Sequence, residues 1–521
     1  MTAAPGTPIR AEGGVRTTLV HAAVVTVVVT LSGSLLGLVR DLLLARLFGA
    51  NGGTDAFLVA WTVPETAFPL VVEGAMSFLM IPLFSRALTD ARARQAARDV
   101  VAATMPRVVA VLVGLSAAVA LGAPVLVRVV APGLADPELA VTCTRLTSIT
   151  VLTFGLAGYL SAALRANHVF GAPATIHLAY NIGILGLMWT LHGRLGIVSA
   201  AAGVALGSVF MVVAQLPSFL RHVGLPRRWR VSGSAVTLGA FAPIAIYTLT
   251  RQAQVFVERF LGSSLAPGTI SHLNYAQKVA QLPMLVALLV CTVTFPTLVR
   301  SVAAGEAEQA RRRLEADLRT VTALIFVSAA YLVVFAPVVV GVLLEHGRFT
   351  AADTAATAAI MRVYALGLCG HAMVGVLSRA FFTGERPTWY PALAMGVGIA
   401  VTTVLAVAAV PVLDAYAIAA ANGVGITTTA VLLLVGLRRR IVAVSLSAVG
   451  GAALRLAAAA AGAGVLGWLA GRALAGWPGE LVALAGGIVV LAGFAALARL
   501  AGFDEATAMA SGVKRRIHHG R

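Results

Sequence analysis

Charge is what this 521-residue chain has least of. Only 12% of its residues are Asp, Glu, Lys or Arg, against 59% hydrophobic, and its mean hydropathy is +0.91. A soluble globular protein carries roughly 25% charged residues, so this chain cannot cover a water-facing surface of its own size. Lysine occurs only at 278 and 514. Cysteine occurs three times, at 143, 291 and 369, inside or beside apolar runs and far apart, which suits small buried hydrophobes and argues against a disulfide framework or a metal site. There is no HExxH, no phosphate-binding glycine loop and no defensible Ser-His-Asp order, and the connections are too short for an ATPase domain. These absences exclude a soluble enzyme and ATP-driven work, and they leave an ion gradient or the membrane potential as the energy source for any uphill movement.

What fills the chain instead is apolar sequence in runs of about 20 residues, the length that spans a bilayer. Because the runs are rich in Ala, Leu and Val, and because a helix satisfies all its backbone groups within one span, the expected class is an all-α polytopic membrane protein. Fourteen spans are expected, near 17–39, 56–84, 108–130, 140–163, 172–191, 196–220, 234–260, 269–299, 321–344, 355–382, 389–410, 415–436, 449–470 and 480–498. The second, eighth and tenth are long enough to be tilted or broken.

The net charge of +18 is topological. Arginine clusters at 92–98, 227–230, 311–313 and 438–440, with Lys514, Arg515 and Arg516, fall on one side, while Arg46, Arg128, Arg194, Arg259, Arg348 and Arg472 fall on the other. The positive-inside rule then puts both termini in the cytoplasm and removes nucleic acid as a partner.

"PLVVEGAMSFLMIPLFSR" (69–86) aligns without a gap on "PMLVALLVCTVTFPTLVR" (283–300), matching Pro69, Pro82 and Arg86 to Pro283, Pro296 and Arg300. An even number of spans separates the two. The expectation is two six-helix lobes related by a pseudo-twofold along the membrane normal, plus two extra helices. The segments are a cytoplasmic N-terminus (1–16), an N-lobe (17–222), a C-lobe (233–437), spans 13 and 14 (449–502) and a basic cytoplasmic tail (503–521).

Charges inside such spans are costly and mark cavities, pairs or snorkelling ends. In "RDLLLARLFGANGGTDAFLVAW" (40–61), Arg46 suits snorkelling, Arg40 is balanced between that and a cavity, and Asp55 follows Thr54 as a helix N-cap or a gating group. Glu65 and Glu73 share a helix face bracketed by Pro64 and Pro69, with Glu73 favoured to face the lumen or an interlobe contact. In the second half, Arg251 lies too deep to snorkel easily and Lys278 is an isolated mid-span cation. Glu258 and Arg259 suit a mutual pair near the outer end. His371 reads as a hydrogen-bonded packing residue ahead of a proton relay.

Three segments carry a family resemblance. "GLVRDLLLARLFGANGGTDAFLVAWTVPETAFPLVVEGAMSFLMIPLFSRAL" (37–88), "VERFLGSSLAPGTISHLNYAQKVAQLP" (257–283) and "LLEHGRFTAADT" (343–354) resemble, in order, parts of the MurJ (MviN) family of lipid II flippases, in the MOP exporter superfamily. The resemblance implies a bacterial plasma-membrane protein that moves a polyprenyl-pyrophosphate-linked glycan between leaflets by alternating access, without bond chemistry, for cell-wall synthesis. It implies no cofactor, coupling to the membrane potential or a monovalent cation, and cell-wall synthesis proteins as partners beside the bilayer. Arg40 matches a cavity arginine, Asp55 the acid that opens span 2 and Glu73 the glutamate of "EGAFS", here "EGAMS". Lys278 stands where arginine is usual, keeping the charge but losing the planar fork. Ser34 and Phe68 stand where many members have arginine, and Gln281 where glutamate is usual. The resulting assignment is Arg40, Lys278 and a compensating Arg251 for the pyrophosphate, with Asp55 and Glu73 for gating. Rivals are a MOP-type exporter of another polyprenyl-linked glycan or amphiphile, and a non-transporting cell-wall scaffold.

Overall fold

The computed structural model describes residues 32–33, 35–89, 92–226, 242–287, 304, 306–381, 388–440 and 444–503. Among them there is no strand. The helices are α1 (35–48), α2 (Gly52–Ala67), a π-helical segment (Phe68–Ala75), α3 (Met76–Leu88), α4 (Ala93–Val130), α5 (Pro137–Thr147), α6 (Ile149–Ala166), α7 (Gly171–Ala174), α8 (Ile176–Leu195) and α9 (Val198–His222). They continue as α10 (Ala242–Gly262), α11 (Thr269–Ala280), α12 (Ala307–Leu344), α13 (Ala351–Phe381), α14 (Tyr390–Arg440), α15 (Leu446–Ala473) and α16 (Gly479–Leu500).

Ten stretches among the described residues are long and apolar enough to cross a membrane. One of them, α14, has 51 residues. At about 1.5 Å per residue it would run to roughly 77 Å, more than twice a hydrocarbon core of about 30 Å. It therefore turns back on itself, and the turn is Asp414, with φ +46 just after Pro411. Its two legs are expected spans 11 and 12. Expected span 1 and span 8 lie partly outside the described residues, as do Ser34, Cys291 and most of the repeat at 283–300. Expected span 7 is α10, which is helical but falls outside the ten, since Arg251, Glu258 and Arg259 lower its hydropathy.

Span 2 is a single 37-residue path, Gly52–Leu88, with a change of winding inside it. Pro69 has no N–H to donate and its ring crowds the carbonyl four residues back. The chain answers by widening to π geometry over Phe68–Ala75, and the Met76 N–H reaches back five residues to the Val71 carbonyl. Such bulges concentrate at functional positions. Gly158 of α6 lets the segment pack closely, since a Cβ there would sit 3.0 Å from the Val72 Cα.

The chain forms two compact units. One holds residues up to 44, 60–126 and 138–238; the other holds 45–59, 127–137 and everything from 239 on. The first has a core of Met76, Met80, Phe84, Val101, Tyr159 and Phe219. In the second, Leu314, Leu377, Met395, Leu433 and Leu437 pack together from α12, α13 and α14. The two last helices also belong there: α15 and α16 close over α12 through Phe335, Leu456, Ala463, Val490 and Phe494. The second unit thus includes short pieces from the first half of the chain. Gly133 donates its N–H to the Ser263 Oγ at 3.2 Å, and Arg348 donates its N–H to the Arg46 carbonyl at 2.9 Å.

Candidate functional site

Arg40 is the anchor of the first unit. Its side chain on α1 is 15% exposed and curls back on its neighbour, so that Nε and Nη2 both donate to Asp41 Oδ1, at 3.0 and 2.8 Å. Nη1 reaches the Asn181 Oδ1 of α8 at 3.5 Å, and the guanidinium lies over the Trp61 ring of α2, 4.6 Å from its centroid. Asn181 is itself held, because its amide donates to the Gly33 and His177 carbonyls at 3.1 and 2.9 Å. A guanidinium has five N–H donors. Among the described residues these contacts use three, which leaves one N–H on each terminal nitrogen. A guanidinium with donors to spare can offer them to phosphate oxygens.

The surroundings are aromatic and partly acidic. Trp61, Tyr180, Phe154, Phe68 and His177 form a chain of ring contacts with centroids 6.3, 5.5, 5.3 and 5.1 Å apart in turn. Phe68, where relatives of the family often carry arginine, is therefore part of an aromatic wall. Glu65 is near enough to act electrostatically on both Arg40 and Tyr180. Glu73 lies in the π-helical segment, and its side chain is outside the described residues.

Asp55 belongs to the second unit, and the structure corrects its reading as a cap of its own helix. That role is taken by Asn51, whose Oδ1 accepts from the N–H groups of Gly53 and Thr54 at 2.9 and 3.2 Å. Asp55, 3% exposed, caps a different helix instead. Its carboxylate accepts from the Gly268 N–H at 2.6 Å, the Ser271 N–H at 2.7 Å and the Ser271 hydroxyl at 2.6 Å. Gly268 precedes α11 with φ +94 and no side-chain cap of its own. A helix start exposes N–H groups and a partial positive charge, and Asp55 supplies both needs across 213 residues of sequence. A Cβ on Gly268 would come within 2.8 Å of the Ala50 carbonyl oxygen, so only glycine permits this approach. Tyr275 adds a 3.4 Å hydrogen bond from its hydroxyl to the Gly49 carbonyl.

The two other assigned cations lie on α11 and α10 of the second unit. Lys278 is half-buried near the end of α11. Arg251, expected to replace a missing cation, is an exposed residue of α10 that acts on His371. Sequence reasoning missed Trp61 and Asn181, which hold Arg40, and Gly268 and Ser271, which receive Asp55. It also missed a set of neutral amides around Glu258: Asn422 Nδ2 at 2.8 Å and Gln254 Nε2 at 3.2 Å, with Gln277 Nε2 at 3.5 Å. A polar residue inside an apolar run is the signal that would have found the amides.

The helical arrangement resembles that of solved transporters of the MOP superfamily. An inward-facing multidrug resistance MATE transporter of that superfamily matches with a TM-score of 0.67 at 14% identity, over 82% of this chain and 99% of its own. A solved structure titled lipid II flippase MurJ, inward closed conformation, matches with a TM-score of 0.76 at 20% identity, over 92% of this chain and 98% of its own. In sequence, the lipid II flippase MurJ of Burkholderia cenocepacia is 27% identical over 71% of this chain and 74% of its own length. The probable lipid II flippase MurJ of Rhizobium meliloti is 28% identical over 75% of each. The family profile described as lipid II flippase MurJ matches residues 44–485, and the chain belongs to that family.

Proposed function

We propose that this chain is a lipid II flippase: it carries the lipid-linked peptidoglycan precursor from the inner to the outer leaflet of the plasma membrane by alternating access. Membership of the family across residues 44–485 supports the reading. The observation that carries it structurally is the Arg40 guanidinium, steadied by Asp41, Asn181 and Trp61 with an N–H left on each terminal nitrogen for a phosphate. On this reading Arg40, Lys278 and Arg251 serve the pyrophosphate, and the cargo leaves with the bonds it arrived with, so the chain is a transporter without catalytic chemistry. The two-lobe division at 17–222 and 233–437, cytoplasmic termini, and docking of cell-wall synthesis proteins belong to the same proposal. The cap that Asp55 places on α11 is its outer gate, with Glu73 as a second coupling group in the π-helical segment.

Phe68 in the aromatic wall favours one variation, a polyprenyl-linked glycan with a less anionic headgroup than lipid II. Complementation separates the two. A strain depleted of its own lipid II flippase receives wild type, Arg40→Ala or Lys278→Ala at matched membrane levels. Growth with wild type and failure with both variants is the expected result. Failure of well-expressed wild type, together with failure to flip lipid II in reconstituted vesicles, overturns the lipid II assignment.

A further inference from the structure

Arg362 is a charge within a span that the reading above leaves unused. It lies 11 residues past Ala351, the start of α13, and its partner Val333 lies 11 residues before Leu344, the end of α12. At about 1.5 Å per residue both are roughly 16 Å from the connection 345–350. The whole of α13 exceeds a hydrocarbon core of about 30 Å by about 16 Å, and sharing that excess between its ends leaves Arg362 about 8 Å inside the core. Pro337 explains the partner. It has no N–H to give to the carbonyl four residues back, which is that of Val333, and α12 bends there, with Phe335 at φ −98 and ψ 16. The Arg362 Nε donates to this orphaned carbonyl at 3.0 Å. The bond pins the stem at its depth and keeps the side chain from stretching to the interface as a snorkelling arginine does.

The pinned guanidinium is open on its other side. Arg362 is exposed, and among the described residues its terminal nitrogens donate to no protein atom. The surface around it is apolar: Leu366, one turn further along α13, is 74% exposed, and Ala355 and Pro337 are exposed as well. An ionised side chain costs roughly 2.5–3.5 kcal/mol at the bilayer centre even on lenient scales, a cost that an anion brought by the lipid relieves. Beside Leu366 an apolar groove of about 540 Å³ opens between α13 and the second leg of α14, with Val363, Leu366, Val424 and Val431 in its lining. Gly367 and Gly423 let the two helices touch there, since a Cβ on Gly367 would lie 2.7 Å from the Gly423 Cα. Thr427 and Thr428 spend their hydroxyl hydrogens on their own helix, at 2.7 Å to the Gly423 carbonyl and 2.9 Å to the Val424 carbonyl. A hydrocarbon chain suits this groove, and a polar headgroup does not.

We propose that α12, α13 and α14 form a binding site for an anionic phospholipid of the bilayer, with its phosphate on the terminal nitrogens of Arg362 and one acyl chain in the groove. The depth and the apolar rim make the visitor a lipid, and the guanidinium makes the contact a phosphate. A headgroup with its own ammonium would bring a second cation to an arginine already short of counter-charge, so phosphatidylglycerol suits the site better than phosphatidylcholine. The site does not rest on the flippase reading. Its consequence lies in α12, whose bend places Tyr331 and Phe335 in the packing with α15 and α16, where the Tyr331 hydroxyl donates to the Ala483 carbonyl at 3.1 Å. A phosphate on Arg362 steadies the group that stands in for the missing proline N–H. A bound lipid thus holds the bend, and with it the seat of the last two helices.

Native mass spectrometry of the purified full chain, titrated in detergent with phosphatidylglycerol or phosphatidylcholine, resolves the first lipid bound. Wild type should prefer phosphatidylglycerol, and Arg362→Leu should weaken that lipid by about tenfold or more while leaving phosphatidylcholine unchanged. Val424→Trp fills the groove from an exposed position and should weaken phosphatidylglycerol with the charge intact. Pro337→Ala returns an N–H to the Val333 carbonyl and frees the Arg362 stem, and it should do the same. Equal affinity for the two lipids in wild type, or no loss in Arg362→Leu, overturns the proposal. If Arg362→Leu does not fold, the other two variants decide: unchanged phosphatidylglycerol binding in either overturns the site. Added lipid II should not displace the bound phosphatidylglycerol; displacement would hand the site to the cargo and overturn the phospholipid assignment. Lipid II flipping in vesicles is read separately, and its absence overturns the cargo reading while the phospholipid site stands.

Discussion

Arg40 and Asp55 stand on either side of the short linker 49–51, and both are screened from solvent, yet they are satisfied in opposite ways. Arg40 finds a neighbouring carboxylate, one amide and an aromatic face, and it keeps a pair of donors in hand. Asp55 finds three donors at the start of α11 and turns both its oxygens to that one task. The guanidinium therefore still has chemistry to offer a visitor, while the carboxylate fastens one piece of the fold to another. Substitution at the first should be felt in transport with little change in stability. At the second it should be felt in stability and in the gate together.

The largest effect is expected from Arg40→Ala. Losing a charged, two-pronged contact to phosphate costs about 2–5 kcal/mol, which is roughly 30-fold or more in transport rate. The measurement is lipid II flipping in vesicles, read beside thermal unfolding of the same protein. A variant that unfolds early but flips normally once folded would turn Arg40 into a fastener and erase the contrast with Asp55.

Next in size is Asp55→Ala. It leaves the Gly268 and Ser271 N–H groups without their acceptor, at about 1–3 kcal/mol for each buried orphan. Thermal unfolding should shift down by several degrees, and Asp55→Asn should fall between, since its amide nitrogen would face one of the two N–H donors. A cysteine pair placed on the 49–51 linker and near Gly268 should crosslink less readily in Asp55→Ala. Unchanged crosslinking would separate the cap from the gate.

Much of this frame was legible before any coordinates. Long apolar runs announced the spans, and the proline-rich stretch around Pro64 and Pro69 announced a break where the π-helical segment lies. Charges within apolar sequence pointed to Arg40 and Asp55. The chemistry of Asp55 as a cap was also legible, but not the helix it caps, because Gly268 and Ser271 lie far along the chain and only folding brings them near. Arg251 is the opposite case: its depth in a span suggested a cavity cation, while packing sets the direction a helix face takes, and Arg251 is an exposed residue of α10. Glu258 was seen as one half of an ion pair with Arg259. Its amide partners escaped notice because Asn and Gln carry no charge, and only charges were followed through the apolar runs.

The smallest effect concerns Trp61, and it tests whether Arg40 is held in place or merely present. Cation–π contact over an indole is worth about 0.5–2 kcal/mol. Trp61→Leu keeps an apolar side chain and removes the ring face, so the guanidinium stays charged and bonded to Asp41 but gains freedom to turn. A positioning residue of this kind should raise the lipid II concentration needed for half-maximal flipping by about fivefold, the equivalent of roughly 1 kcal/mol, and leave the maximal rate nearly unchanged. Trp61→Phe, with a weaker ring face, should recover most of the difference, which a role in packing alone would not require. If leucine and phenylalanine behave alike, Asp41 and Asn181 suffice to aim the guanidinium, and the aromatic wall that begins at Trp61 serves the rest of the cargo.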